Sequence, residues 1–332
     1  MSTAILAAPV TGEARIAALI DRVALVRPAQ AARAQAELEI ALSALRRSVT
    51  GDLAWESSCL TPCRYPVEVA VTSATDELRT VVDVLAPEDD RRTALRAAEA
   101  VASAFGSPGL AADVADLLQR HQQGFAPRYG AWLGSRHTAE ATRHKLYVEL
   151  DPRGARDVVE ALAPEAWRAL GGAGAVRFLG IGLGDSPAVE VYARPFHTDG
   201  DLLRVLAARA GLAELADPLA HATVGDGSGE GRNHAVSVAA AGGRITAVAA
   251  FTFAHQRLGR DHRVRDGVLR QARAERWACT DLYAAVSSPL AAPEPMVRPF
   301  HTALSEVAAT GAPGIVHHVG LAPPPLPRHS GR

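Results

Sequence analysis

The chain has 332 residues, 48% of them hydrophobic and 21% charged, with 35 basic against 36 acidic side chains and a net charge of −1. This is globular composition, which excludes collagen-like and disordered classes, and the balanced charge excludes a general nucleic-acid-binding surface. Three cysteines, Cys59, Cys63 and Cys279, are too few for a disulfide scaffold and have no His/Cys set to complete a zinc site, so they read as reduced thiols of a cytoplasmic protein. The apolar segment 4–10 is short and lacks a basic start, unlike a signal peptide, and no apolar run reaches the roughly 20 residues that span a membrane.

In chain order, apolar spacing predicts helices over 13–26 and 28–45. Residues 53–60 and 66–72 read as strands joined by a turn containing Pro62. Helices are expected over 76–85, 90–104 and 110–122. Strands follow at 129–135 and 145–150, a helix at 155–170, strands at 176–183 and 189–194, and a helix at 201–212. Residues 235–240 and 245–253 read as a hairpin across Gly242-Gly243, a favoured two-residue turn. Helices are expected at 268–285 and near 303–309, then a last strand at 314–321 and a disordered proline-rich tail at 323–332.

Adjacent strands joined by short turns pair antiparallel. Repeated hairpin-and-helix units therefore predict an α+β fold, an antiparallel β-barrel of about ten strands surrounded by helices, with residues 1–322 as one domain. The string Arg-Pro-Phe-His-Thr occurs at 194–198 and again at 298–302, each time just before an expected helix.

Strand alternation then selects residues that share an inward face. Lys145, Tyr147 and Glu149 form one such set, Glu190, Tyr192 and Arg194 a second, and Phe251, Phe253 and His255 a third. Glu68 stands between Val67 and Val69 in an apolar strand, where a carboxylate must be paired, exposed or functional. Lys145 is the only lysine among the 35 basic residues; composition leaves open whether it is a site residue or a surface one. Singly, each of these residues suits ordinary core or surface. Together they describe a lumen of cations, phenols and a carboxylate that a packed core would not contain. Adjacent His317 and His318 point to opposite strand faces, which argues against a shared metal.

The stretch Leu60-Thr61-Pro62-Cys63-Arg64-Tyr65-Pro66-Val67-Glu68, followed by Leu78-Arg79-Thr80-Val81, resembles a motif of the aromatic prenyltransferases related to dimethylallyltryptophan synthase. Lys145-Leu146-Tyr147 resembles that family's Lys-x-Tyr strand, and Trp132 sits where the family often has a tryptophan. The family fold is a ten-stranded barrel of repeated αββα units (the ABBA barrel). The resemblance implies transfer of a prenyl group from an isoprenoid diphosphate, dimethylallyl or longer, to an electron-rich arene: tryptophan or another indole, a tyrosine-like phenol, or a side chain of a peptide. It implies Glu68 as the catalytic carboxylate on the acceptor. Arg79 and Lys145 become diphosphate ligands, with Arg194 and Arg244 as supplementary cations. Tyr147, Tyr192, Phe251 and Phe253 become the shield of the allylic cation and prenyl pocket, and Trp132 and His255 the acceptor pocket. No cofactor or metal is required by this resemblance, and Mg²⁺ is at most stimulatory.

The chain departs from the family in three places. Glu190 stands where a lysine is usual, Phe251 and Phe253 where tyrosines are expected, and after Leu321 the chain runs into prolines, so the last tyrosine-bearing strand is expected to be missing. A shortened barrel end favours a peptide acceptor. The thinned cation set also supports an alternative, a catalytically eroded barrel that binds a ligand or a partner protein.

Overall fold

The computed structural model describes residues 12–172, 174–184, 187–195, 200–224, 234–293 and 298–324. Ten strands form a closed antiparallel barrel: β1 (Val67–Thr72), β2 (Thr75–Val82), β3 (Ala131–His137), β4 (Thr142–Glu149), β5 (Gly174–Gly182), β6 (Val189–Pro195), β7 (His234–Ala241), β8 (Arg244–Phe253), β9 (His301–Ala309) and β10 (Val316–Leu321). Each strand pairs with its neighbours in sequence, and β10 closes the ring on β1 with Val69 opposite Leu321 and Val71 opposite Val319. No strand edge is left open.

The helices lie outside. They are α1 (Gly12–Ala24), α2 (Pro28–Ala41), α3 (Ser43–Arg46), α4 (Ala94–Ala104), α5 (Ala112–Gln123), α6 (Ala155–Leu162), α7 (Pro164–Leu170), α8 (Gly200–Arg209), α9 (Ala216–Val224), α10 (Ala254–Leu258), α11 (Asp261–Ala274) and α12 (Thr280–Val286). The hydrophobic core is the layer between helices and barrel. Val67, Val69 and Val71 of β1, Leu146 and Val148 of β4, and Val236 and Val238 of β7 are buried there. Alternation therefore sends the intervening residues into the lumen.

Several sequence expectations need correction. The expected helix 76–85 falls instead on β2 (Thr75–Val82) and the three residues after it. Leu78, Thr80 and Val82 share the buried outer face, and Thr80 hides the alternation because its hydroxyl is satisfied by His137 Nε2 at 3.2 Å. Residues 303–309 form β9, not a helix. Its alanines favour a helix in isolation, and its outer face carries the buried Glu306, held by Arg257. The barrel is therefore complete through β10 rather than missing its last strand, which removes the shortened-barrel ground for a peptide acceptor. Residues 51–56 form a 3₁₀ turn that buries Trp55 under α1, not a strand. The expected helix 155–170 breaks where Pro164 starts α7. Helix 268–285 divides between α11 and α12 at Arg276, whose φ is 57°.

Of the repeated pentapeptide, Arg194 and Pro195 end β6 and Arg298–Thr302 leads into β9, not into a helix; 196–198 lies outside the described residues, as do segment 4–10 and tail residues 325–332. The Gly242-Gly243 turn does join β7 to β8, with φ of 56° and 72°, which suits only residues without a Cβ penalty.

One buried polar cluster ties the start of β9 to the helices. Asp261 accepts hydrogen bonds from the backbone N–H groups of Phe300 (2.9 Å) and His301 (2.8 Å) and lies 2.7 Å from His301 Nδ1. His301 Nε2 in turn meets the Tyr283 hydroxyl at 2.9 Å. Asp261→Ala leaves these groups buried and unsatisfied. We expect it to destabilise the fold by about 3 kcal/mol, measured by chemical denaturation.

Candidate active site in the barrel lumen

Lumen positions follow from register. Glu68 on β1 is opposite Val81 on β2, and Arg79 is opposite Arg136 on β3. Trp132 and Gly134 of β3 face Tyr147 and Lys145 of β4, and Gly180 of β5 faces both Tyr147 and Glu190.

Lys145 sits at the centre. Its Nζ donates to Glu190 Oε2, and lies 3.2 Å from the Tyr192 hydroxyl and 5.0 Å from the Tyr147 ring centroid. Glu190 also accepts from the Ser237 hydroxyl. Burial alone raises the pKa of Glu190, but Lys145, Ser237 and Tyr192 outweigh it and bring it down to about 2. Burial and the Glu190 charge push the Tyr192 phenol well above its usual value, so it remains a donor. Tyr147 and Tyr192 pack with ring centroids 5.8 Å apart, and Tyr192 and Phe251 at 5.7 Å. These rings make an aromatic wall across β4, β6 and β8 beside the ammonium group.

Three glycines make room for this arrangement. A Cβ on Gly180 would collide with Lys145 Cε, and one on Gly134 with the Tyr147 ring. A Cβ on Gly320 of β10 would strike the Thr302 hydroxyl and press on the Glu68 carboxylate. Glu68 has no cationic partner, and burial raises its pKa to about 7. The Thr302 hydroxyl lies outside ideal hydrogen-bond geometry yet opposes that shift.

Arg79 lies on the lumen face with its Nη2 3.3 Å from Glu77 Oε2. Burial and the nearby Arg136 both lower its pKa, and Glu77 opposes them. The sequence reading missed three neighbours. Arg136 pairs in register with Arg143, so Arg79, half-buried, and the exposed Arg136 and Arg143 form one cross-strand row of like charge at the β3–β4 end of the lumen. Directly opposed like charges cost stability, so the row suits an anion. His318 of β10 also faces the lumen. Burial and then Arg79 hold its pKa well below the ordinary value, so it is neutral. Its neighbour His317 points outward and stacks on Trp277 at 5.2 Å. Counting residues in steps of two from Gly134 and Lys145 would have found Arg136 and Arg143; nothing short of the register would have placed His318.

The structure thus brings Glu68, Arg79, Lys145, Trp132, Tyr147, Tyr192 and Phe251 to one lumen. It does not bring in four other predicted residues. Arg244 is exposed at the β7–β8 turn and Arg194 is exposed near the end of β6. Phe253 is 42% exposed where β8 ends, and His255, with its ring centroid 5.8 Å from Phe253, is exposed on α10. Arg194 keeps the lumen parity of Tyr192 but lies at the mouth of the barrel, as Arg136 and Arg143 do, whereas Arg244, Phe253 and His255 lie at or beyond the strand ends. Among the described residues no cluster of three or more His, Cys, Asp or Glu residues is able to hold a metal, and no helix is long and apolar enough to cross a membrane.

No family model matches the chain, and no curated protein matches it in sequence. Solved structures do match in shape. A complex of 5-dimethylallyl tryptophan synthase from Streptomyces coelicolor with DMASPP and Trp superposes with a TM-score of 0.76 at 15% identity, over 97% of this chain and 99% of that one. Prenyltransferase PriB, in a ternary complex with L-tryptophan and dimethylallyl thiolodiphosphate, gives 0.73 at 18% identity over 94% and 96%. AnaPT from Neosartorya fischeri gives 0.64 at 12% identity over 92% and 91%. This protein has the ABBA barrel fold of those prenyltransferases.

Glu68 offers a direct stability test. The folded protein favours its protonated form, so stability is full below about pH 4.5, falls as pH rises towards 7, and stays reduced above it. Glu68→Gln does not titrate. We expect the variant to exceed wild type by up to about 3 kcal/mol at pH 8, with the gap closing by pH 4.5, in denaturation curves taken across that range.

Proposed function

We propose that the protein is an aromatic prenyltransferase that joins the prenyl group of an isoprenoid diphosphate to an electron-rich arene such as an indole or phenol. The observation that carries this reading is a lumen carboxylate without a cationic partner, Glu68, on the strand next to a cation row, with an aromatic wall on β4, β6 and β8. Each part answers one need of the reaction. The C–O bond to the diphosphate breaks with both electrons leaving on oxygen. Arg79, Arg136 and Arg143 face the developing negative charge. The allylic cation is held against Tyr147, Tyr192 and Phe251, whose faces stabilise it and keep water away. An arene carbon attacks the cation, and its ring proton passes to the released diphosphate, which restores aromaticity. Ionised Glu68 accepts the indole N–H or phenol hydrogen bond and raises the ring's nucleophilicity. The fold shared with the tryptophan prenyltransferases supports the assignment, and these residues supply its chemistry in this chain.

Lys145 has a different place from the one its resemblance implies. Its charge is already matched by Glu190, so the diphosphate meets a nearly neutral pair there and a net positive charge on the arginine row. Glu190→Gln frees the ammonium group. We expect this variant to bind inorganic diphosphate at least tenfold more tightly than wild type, read by calorimetry; unchanged affinity would remove Lys145 from the diphosphate's surroundings.

The same ion pair favours a second reading, a barrel that binds ligands without turnover. Incubation with dimethylallyl diphosphate and tryptophan or another indole decides between them. Prenylated arene and released diphosphate support transfer, whereas no product and no thermal stabilisation by the diphosphate support the second reading. If transfer occurs, Glu68→Gln lowers kcat by about 10²–10³-fold. The wild-type rate rises as pH increases through about 7, where Glu68 ionises, and that rise is absent in the variant.

A further inference from the structure

Helix α11 carries a charge pattern that the fold does not use. Val264, Val268, Leu269 and Ala272 bury one side of it, and Asp261 ties its first turn to the backbone of Phe300 and His301 where β9 begins. The other side is a stripe of exposed arginines. Arg263, Arg270 and Arg273 stand at helical spacing along it, with Arg260 just before the first turn and Arg276 just after the last. Asp266 is the exposed acid of this helix, and Arg265 lies 3.7 Å from it. Among the described residues none of the five arginines has a hydrogen-bonded or ionic partner for its side chain.

Three other helices pair such arginines in place. Arg156 on α6 meets Glu160 at 3.0 Å, Arg168 on α7 meets Glu165 at 3.2 Å, and Arg204 on α8 meets Asp201 at 2.9 Å and Asp217 at 2.6 Å. In a chain of net charge −1, α11 therefore concentrates unmatched positive charge. That concentration costs stability. Like charges three residues apart, as in Arg260 with Arg263 and Arg270 with Arg273, repel, and the first two also sit at the positive end of the helix dipole. Glutamate at either of those two places would suit the helix better, so folding does not account for the stripe.

Its place on the barrel gives it a use. All strands are antiparallel, so β1 and β9 begin at the same end. Asp261 sets the start of α11 at that end. The far end of the helix lies by the β1–β2 turn, where the Ala278 N–H donates to the Ser73 carbonyl at 3.0 Å. The stripe thus runs about 21 Å over the outside of the barrel from the mouth nearer Glu68, the second residue of β1. At that mouth a cleft of about 280 Å³ lined by Pro289, Leu290 and Phe300 adjoins Arg260.

We propose that α11 docks an acidic segment of the polypeptide that carries the arene, so that the tethered aromatic group is held at the mouth leading to Glu68. This rests on the prenyl-transfer reading and deepens it, because it makes the acceptor part of a macromolecule rather than a free small molecule. Guanidiniums match carboxylates in both charge and geometry. Arg263, Arg270 and Arg273 lie on one face of one helix, seven and three residues apart, which is the spacing at which a partner helix presents an acidic face of its own. The balanced total charge of the chain gives a nucleic acid no long-range attraction, and the stripe holds no aromatic ring on which a base could stack.

Four probes test this by calorimetry and transfer kinetics. The first is a helix-forming peptide with glutamates at that spacing, ending in a glycine–serine linker and a tryptophan. The second and third carry glutamine or lysine in place of glutamate, and the fourth is a DNA duplex of the same charge as the first. The wild type should bind the glutamate peptide ten times or more tightly than the glutamine peptide, with the preference shrinking as salt rises, and should prenylate it at a KM at least tenfold lower. A variant carrying Arg263→Glu, Arg270→Glu and Arg273→Glu should lose that preference and select the lysine peptide, while KM for free tryptophan and for dimethylallyl diphosphate stays at the wild-type value. All three positions are exposed, and a variant that merely failed to fold could not reverse its preference. Equal affinity for the glutamate and glutamine peptides, an unchanged preference in the variant, or tighter binding of the duplex than of the glutamate peptide would overturn the proposal. Charge-selective docking without transfer to any acceptor keeps α11 as a surface for acidic segments and overturns the prenyl-transfer reading. Transfer to free tryptophan with no gain from the acidic segment does the reverse, and a wild type that neither docks the peptide nor transfers overturns both.

Discussion

Closure of β1 on β10 is the constraint from which the rest follows. A closed barrel has no edges, so every strand has one face turned to the helices and one to the lumen. Hydrophobic burial is supplied almost wholly by the outer layer, where β1, β4 and β7 bury their branched residues beneath the helices. Ten strands enclose an interior wider than the small barrels that side chains fill completely. The inner face is thereby released from core packing and is able to carry charge, phenols and glycine at positions where a sandwich of the same size would need valine.

That freedom brings an electrostatic obligation. Charged groups withdrawn from bulk water need partners. The lumen meets this in two ways. Lys145 and Glu190 satisfy each other, with Ser237 and Tyr192 completing the shell, and Gly180 leaves the space in which the lysine lies. Glu68 is instead left without a cation and holds its proton to about neutral pH. One carboxylate is thus locked as an ion and the other is poised near its midpoint, although they share one lumen. Environment assigns each its role, as the difference in their partners requires.

The fold class was legible because hairpin turns such as Gly242-Gly243 and the alternation in β4, β6 and β8 are local signals. Strand β2 was hidden by a polar residue on an apolar face: Thr80 is buried against His137, and a threonine counted as solvent-facing turns a period of two into apparent helical spacing. Strand β9 was hidden by alanine-rich composition and by Glu306, whose partner Arg257 is 49 residues away in the chain. Both errors have one cause, a long-range partner for a buried polar side chain. The central lumen residues were legible from alternation because a strand in the barrel wall keeps its parity. Phe253, His255, Arg194 and Arg244 were misplaced because parity says nothing about where the wall ends. The glycines were the unused signal: Gly134, Gly180 and Gly320 mark places where a lumen side chain crosses a neighbouring strand.

The charges also divide along the barrel axis. Arg136 and Arg143 lie next to the β3–β4 turn, with Arg79 one register step across from Arg136, whereas Arg64, Arg128 and Arg298 stand at the opposite end where the odd strands begin. Lys145 and Glu190, as a neutral pair, lie between. Two positive regions separated by a neutral middle repel one another little through the barrel and attract anions from both ends. In that middle the rings of Tyr147, Tyr192 and Phe251 stand beside the neutral pair, and Glu68 is the lumen carboxylate left without a cation. Under the prenyl-transfer reading, neutralising Lys145 with Glu190 removes a like charge from the place where the allylic cation meets the aromatic rings.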